Sequence, residues 1–389
     1  MASSASDRPL RIAVVAGEPS GDRLAASVIG ALRSRCRRLE VEGVGGPCME
    51  EQGLRSLIPM ERLSVMGLVD PLKRLPELLR IRRSLFNRFT DTPPDLFLGI
   101  DSPEFNLPLE RRLRRRKIRT AHLVSPSVWA WRRGRLHSIE RSVDLMLCLF
   151  PFETDLYRQQ GIPVQFVGHP MADEITRHGD SGAARSRLGL TPPGQLVALL
   201  PGSRASEVGA LAPLFLQVAD SLWRANPQLS FVMPAATAEL EQALRRHLQA
   251  CPELPLRLLR GQAREALAAA DAALLASGTA ALEAALLKCP AVVAYRMGEI
   301  SWLVLSRLVK TPWVALPNIL VGRELMPEFL QARATPDALE AALDTLLSGG
   351  SAVSEMLEAF DTMHVSLRQD CAAQAAQSLL RLASGECMA

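Results

Sequence analysis

"LLPGSRASEV", residues 199–208, is where two different periodicities meet. The apolar run that leads into it, "LVALL" at 196–200, reads as a buried strand that Pro201-Gly202 ends sharply. Beyond the turn, Val208, Leu211, Phe215, Val218 and Leu222 recur at spacings of three and four, which is the apolar stripe of a helix. Strand, glycine turn and helix start together make a phosphate-site geometry. The lysine of a P-loop is missing, so an anion here would be met by helix N–H groups, the helix dipole, Ser203 and the guanidinium fork of Arg204. The same turn also reads as a plain one, with Arg204 capping a neighbouring carbonyl.

Around this unit the chain repeats the pattern. "RIAVVAG", "VEGVGG", "DLFLGID", "RTAHLVS", "VDLMLCLF" and "VQFVGHP" form one strand series. "LVALLPG", "LSFVMPA", "LPLRLLRG", "AALLASG", "AVVAYR" and "WVALPN" form a second, with helical patterns between the strands of each. The Gly-, Ser- and Pro-rich stretch 176–195 separates them. The fold class read from this is α/β: two Rossmann-like, doubly wound domains facing a cleft, 1–180 and 181–389. The helical tail beyond Arg333 is assigned to the second. A length of 389 residues suits two such cores.

Composition narrows the class. With 48% hydrophobic and 22% charged residues the chain reads as soluble and globular, and no apolar stretch approaches the ~18 residues of a membrane span. The N-terminal apolar run is too short for a secretory signal, so a cytoplasmic location is expected. Seven scattered cysteines without a C-x-x-C pair, and six dispersed histidines without H-E-x-x-H, give neither a disulfide framework nor a metal site. No cofactor is expected. The basic run "ERRLRRRKIR" at 110–119 reads as a solvated helix face or as a contact for an anionic partner. Nucleic acid is disfavoured, because no aromatic residues interleave with these arginines. Residues 63–89 mix large apolar residues with Lys73, Arg74, Arg80, Arg82, Arg83 and Arg88, a pattern of core helix or of a membrane-interface segment. Pro71 and Pro76 argue against one unbroken helix there.

Candidate chemistry lies after the strands, where open α/β sheets place their crevice. In "LLASGTAALEAALL", Ser277, Gly278 and Thr279 begin a helix that carries Glu283. The two hydroxyls are N-caps or phosphate ligands, and Glu283 is a dipole partner or a ribose ligand. Asn318 is read at a strand end, with Glu328 and Gln331 on one face of a helix opened by Pro327, placed for sugar hydroxyls. In the first domain, Glu18, Ser20 and Asp22 share the turn "GEPSGD", which is not G-x-G-x-x-G. Asp101 follows a strand, with Asn106 close behind; it is a helix cap or a general base. "HLVSPSVWAWRRGR" adds Ser125, Ser127, Trp129, Trp131 and Arg132.

Taken in order, "AGEPSGD", "GVGGPCM", "VMGL", "GIDSPEFN", "VSPSVWAWR", "FPFE", "FVGHP", "LLPGSR", "ASGTAALE" and "LPNILVGRELMPEFLQ" span residues 16–331, and the chain resembles the lipid-A-disaccharide synthase family of GT-B glycosyltransferases. "DP" at 70–71 and "SPEF" at 102–105 depart mildly from the family's usual Glu-Val and Ala-Pro-Asp-Phe. The resemblance implies inverting transfer of 2,3-diacylglucosamine from UDP to the 6-hydroxyl of 2,3-diacylglucosamine 1-phosphate, giving a β-1,6 disaccharide and UDP. Its implied partners are UDP-diacylglucosamine, diacylglucosamine 1-phosphate and the cytoplasmic face of the inner membrane; a homodimer is left open. It implies catalytic roles for Asp101 as base and Glu18 as orienter. Ser203, Arg204, Ser277, Gly278, Thr279, Glu283, Asn318, Glu328 and Gln331 would hold the nucleotide sugar, and Ser20, Asn106 and Ser127 the acceptor or sugars. The alternatives are a UDP-N-acetylglucosamine 2-epimerase or other GT-B enzyme, and a non-catalytic, nucleotide-responsive peripheral membrane protein.

Overall fold

The computed structural model describes residues 8–63, 70–129, 133–190, 194–298, 302 and 311–386. The chain forms two compact units, residues 1–173 with 367–389, and 174–366. In the first, β1 (Leu10–Ala16), α1 (Pro19–Arg33), β2 (Leu39–Val44), α2 (Pro47–Glu51), β3 (Leu54–Ser56), α3 (Asp70–Asp91), β4 (Leu96–Ile100), α4 (Pro103–Arg114), β5 (Arg119–Leu123), α5 (Leu136–Glu140), β6 (Leu145–Cys148), α6 (Pro151–Arg158) and β7 (Val164–Phe166) build a parallel sheet of order β3-β2-β1-β4-β5-β6-β7. The central strands β1, β4 and β6 are almost continuous apolar runs because helices cover both faces. Ile12, Val14 and Ala16 face one layer; Ala13 and Val15 face the other, with Phe89 and Phe97.

After α7 (Pro170–Glu174) the second unit follows the same rhythm. It comprises α8 (Ser181–Arg187), β8 (Leu196–Leu200), α9 (Ala205–Ala225), β9 (Ser230–Ala235), α10 (Ala238–Leu248), β10 (Leu256–Arg260), α11 (Ala263–Ala269), β11 (Ala272–Ala276), α12 (Thr279–Leu286), β12 (Ala291–Tyr295), α13 (Leu316–Val321), β13 (Glu328–Leu330), α14 (Pro336–Ser348) and α15 (Ser351–Leu367). Its parallel sheet has the order β10-β9-β8-β11-β12-β13.

Four expectations need correction. The boundary falls after Asp173 rather than Gly179-Asp180, and the stretch read as a linker contains α8, whose N-cap Asp180 accepts from Ala183 N. The C-terminal helix α16 (Cys371–Ser384) belongs to the first unit, not the second. Its Cys371, Ala375, Ala376, Leu379 and Leu382 join the cluster of β1 and α1, and burial of that stripe decides the matter over chain order. "WVALPN" is not a strand: α13 begins at Leu316. Finally, α3 runs unbroken from 70 to 91 with Pro76 inside it. Pro71 stands at the second helical position, where no internal N–H bond is lost, and Pro76 forfeits one bond that the packing of Ile81, Leu85 and Phe89 offsets. Residues 64–69, and the side chains of 70–73, lie outside the described residues.

Because Leu379 is fully buried against β1 and α1, Leu379→Ala should destabilise the first unit by ~2–5 kcal/mol, read as a lowered urea midpoint. A native midpoint would place α16 off this core.

Candidate functional site

In the second unit the strand order reverses between β8 and β11, which pair directly, Leu199 opposite Leu274. The chain leaves such neighbours in opposite senses, so a crevice opens beyond their carboxyl ends. A cavity of about 580 Å³ lies there, lined by Gly202, Ser203 and Arg204 after β8 and by Ser277, Gly278, Thr279 and Glu283 after β11. Six of these, Ser203, Arg204, Ser277, Gly278, Thr279 and Glu283, are residues that the sequence assigns to a nucleotide sugar, and the topology gathers them on one cavity.

Two glycines shape the turns. At Gly202 φ is +121°, and a Cβ would lie 2.6 Å from Glu207 Cβ and Oε2. At Gly278 φ is +154°, a conformation that L side chains rarely adopt, and this residue is the N-cap of α12. Of the two readings of Ser277 and Thr279, helix cap and phosphate ligand, the cap does not form. Among the described residues no side chain caps α12, and its first turn opens on the cavity.

The start of α9 differs. Glu207 Oε2 accepts from the N–H groups of Ser203 (3.1 Å) and Arg204 (3.3 Å), while Oε1 accepts from Arg204 Nη1 at 2.8 Å. Glu207 was overlooked, although an acidic residue three positions after a helix cap is a capping-box signal. Glu283 Oε1 accepts from Arg264 Nε at 3.0 Å, and Arg264 also reaches Glu174 at 3.2 Å. No spacing rule could have found Arg264.

The third expected group does not form as foreseen. Pro327 opens no helix: Glu328 begins β13 and Gln331 begins a short 3₁₀ turn. Glu328 is buried and accepts from Val314 N, Ala315 N and Asn318 Nδ2, all at 2.8–2.9 Å. Burial pushes its carboxyl up, and those bonds oppose the shift. Asn318, in α13 and wholly buried, also donates to Met326 O and accepts from Leu325 N and Met326 N. Gln331 exchanges two bonds with the Met297 backbone. Their polar atoms lock the chain after β12 to β13 instead of presenting to a sugar. β13 pairs with β12 as the last strand of the sheet, and this edge pairing outweighs the proline signal.

The first unit repeats the topology at β1 and β4. A Cβ on Gly17 would lie 3.0 Å from Ser102 Oγ, so the turns after the two strands touch. Glu18 and Ser20 are exposed at the start of α1. Asp22 is buried and accepts from Gly46, Cys48 and Met49 N–H, capping α2. Asp101 is half-buried; its N–H donates to Leu123 O at 2.9 Å. The helix cap is Ser102, not Asp101, and both residues are left-handed, at φ 50° and 44°. Backbone strain of this kind, ~1–3 kcal/mol per residue, concentrates at functional sites. Asn106 is wholly buried and donates to backbone carbonyls, so it does not face an acceptor. Ser127 is exposed; Trp131 and Arg132 lie outside the described residues.

Known proteins fit this geometry. The lipid-A-disaccharide synthetase family model matches residues 12–381. The chain belongs to the lipid-A-disaccharide synthase family. It is 54% identical to the lipid-A-disaccharide synthase of Pseudomonas paraeruginosa over 373 residues, 96% of this chain and 98% of that protein. The Azotobacter vinelandii enzyme of that name is 52% identical over 377 residues, again 96% and 98%. Among solved structures, a putative UDP-N-acetylglucosamine 2-epimerase from Listeria monocytogenes gives a TM-score of 0.64 at 12% identity, covering 96% of this chain and 95% of its own. The glycotransferase of kitacinnamycin gives 0.61 at 18%, covering 96% and 99%. Both share the fold.

In this synthase-family chain the loop after β5 is braced from below. Ser125 hydrogen-bonds the Tyr157 hydroxyl at 2.8 Å, and Glu153 accepts from Phe150 N at 3.2 Å and bonds Ser125 and Trp129. Burial pushes Glu153 up to about 8, while burial pushes His169, beside the Phe150 ring, down to about 4. As pH rises from 4.5 to about 8 the unfolded chain releases the Glu153 proton and the folded one keeps it, so stability declines. The His169 contribution has the opposite sense, being lost as pH falls from 6.5 towards 4. The Glu153 decline should therefore show between pH 6.5 and 8 in urea midpoints, and Glu153→Gln should flatten it. An unchanged slope in Glu153→Gln would assign the decline elsewhere.

Proposed function

We propose that this family member transfers a 2,3-diacylglucosamine unit from UDP to the 6-hydroxyl of 2,3-diacylglucosamine 1-phosphate, with inversion at the anomeric carbon. The observation that carries the reading is the cavity of about 580 Å³ at the β8–β11 reversal, with an uncapped helix start and Arg204 on its lining. Because Glu207 already occupies the N–H groups of Ser203 and Arg204, the diphosphate is assigned to the start of α12, with Ser277, Thr279 and the exposed guanidinium of Arg204. Glu207 then shapes the turn. Glu283, steadied by Arg264, takes the ribose hydroxyls.

In the reaction the acceptor oxygen forms a bond to the anomeric carbon as the bond from that carbon to the β-phosphate oxygen breaks. The acceptor proton passes to the Asp101 carboxylate, and the electron pair leaves with UDP. Fixed helix dipoles and a guanidinium stabilise the departing diphosphate without reorganising. Glu18, exposed at the mouth of the same β1–β4 crevice, orients the sugars, and Ser20 and Ser127 offer hydroxyls to the acceptor.

The acylated substrates call for a lipid surface, and α3 supplies a face for one. Leu75 and Leu79, one turn apart, are 45% and 50% exposed, beside exposed Arg80 and Arg83. Apolar insertion with anionic headgroups around it fits a peripheral seat on the cytoplasmic leaflet. No helix among the described residues is long and apolar enough to cross a membrane.

Incubation with UDP-diacylglucosamine and the 1-phosphate acceptor, followed by mass analysis, tests the reaction. UDP release that needs no acceptor would favour an epimerase-like reading. Asp101→Asn should lower kcat by ~10²–10⁴-fold with little change in UDP affinity. Arg204→Ala should weaken UDP binding by roughly tenfold or more, the worth of a charge-assisted hydrogen bond. Separately, a Leu75→Ser/Leu79→Ser protein should co-sediment less with phosphatidylglycerol vesicles than the native chain does; equal co-sedimentation would remove α3 from the lipid contact.

A further inference from the structure

Beneath Asp101 lies a buried polar cluster that the reaction, as assigned above, does not use. Asn106 and Glu110 stand one turn apart on α4, and His122 lies on β5 opposite Gly99 of β4; all three side chains are wholly buried. Glu110 Oε1 and His122 Nδ1 are 2.7 Å apart. Asn106 Nδ2 donates to three carbonyls, those of Val15 (3.3 Å), Ile100 (3.3 Å) and Asp101 (2.9 Å). One amide thus ties the end of β1, the end of β4 and the peptide of Asp101 together. The strand is hollowed to admit the group: a Cβ at Gly99 would collide with Glu110 Oε1 and come within 3.0 Å of Asn106 Cβ and 3.1 Å of His122 Nδ1.

Such a cluster is an expensive way to fill a core. Asn106 Oδ1, Glu110 Oε2 and His122 Nε2 are buried without a hydrogen-bond partner among the described residues. Burial pushes the Glu110 carboxyl up, with His122 opposing the shift. Apolar side chains of the same volume would hold α4 on the sheet without these costs. What apolar side chains could not do is grip the Asp101 carbonyl.

We propose that Asn106, Glu110 and His122 are positioning residues that hold the strained Asp101-Ser102 backbone in its working conformation. The inference rests on the reading of Asp101 as the base. Consecutive left-handed residues with side chains relax unless the surroundings over-determine them. Here Asn106 pins the Asp101 carbonyl, and the Glu110–His122 bond fixes the helix face from which Asn106 reaches. A base must come within hydrogen-bond reach of the proton it takes, so loss of this grip lowers turnover and leaves nucleotide binding intact.

The test compares Asn106→Ala, Glu110→Leu and Glu110→Gln with Asp101→Asn, in steady-state kinetics with both substrates and in UDP titration. Expected are kcat losses of tenfold or more for Asn106→Ala and Glu110→Leu, with the donor KM and the UDP Kd within threefold of native. Glu110→Gln keeps an acceptor for His122 and should stay within threefold of native kcat. Combining Asn106→Ala with Asp101→Asn should cost no more than Asp101→Asn alone, because both act on one group. Native turnover in Asn106→Ala, additive losses in the double variant, or failure of both Asn106→Ala and Glu110→Leu to fold would overturn the inference. Native turnover in Asp101→Asn would instead sink the assignment of the base.

Discussion

The candidate residues of both units sit where a parallel sheet reverses its strand order. Parallel strands all end on one edge, and their helices must start there; only at the reversal do two adjacent strands send their helices to opposite faces. In the first unit those strands are β1 and β4, in the second β8 and β11. The reversal brings the turn at Gly17 against Ser102 across roughly eighty residues of chain, and Arg204 and Ser277 onto one cavity across roughly seventy. Residue choice at the turns is then a matter of what each helix start is asked to hold.

The helix starts answer that question differently. α2 is closed by Asp22 and the start of α9 by Glu207, carboxylates that meet the positive end of a helix dipole from within the protein. Among the described residues α12 meets no such carboxylate, and its N-cap is a glycine without a side chain to offer. Chain carboxylates settle two starts into structure, and the proposed reading leaves the third for the charge of the substrate.

Much of this was legible in the sequence. Apolar runs ended by Gly, Ser, Asp or Pro, with stripes at three and four between them, gave every strand but β3 and β13, and the residues after the central strands gave the cavity lining. What escaped depends on partners far apart in the chain. α16 returns to the first unit because its apolar stripe fits the cluster of β1 and α1, a preference that no local pattern records. Asn318, Glu328 and Gln331 are residue types that bind sugars, but here they bond to backbone at the sheet's edge. Side-chain type gave the chemistry; only the pairing of β12 with β13 gave the recipient.

Asp101 and Ser102 show why strain can stand where a glycine would be cheaper. At Gly202 and Gly278 the chain takes positive φ with no side chain, because those positions need only shape. A glycine at 101 would relieve the backbone and remove the carboxylate with it. The sequence keeps the side chain and accepts the strain, and the surroundings must then hold the turn by force. Asn106 does so from a fully buried seat, and a bare Gly99 makes the seat possible. A polar core under a strained, half-buried carboxylate is therefore one device, in which each part would be a defect without the other.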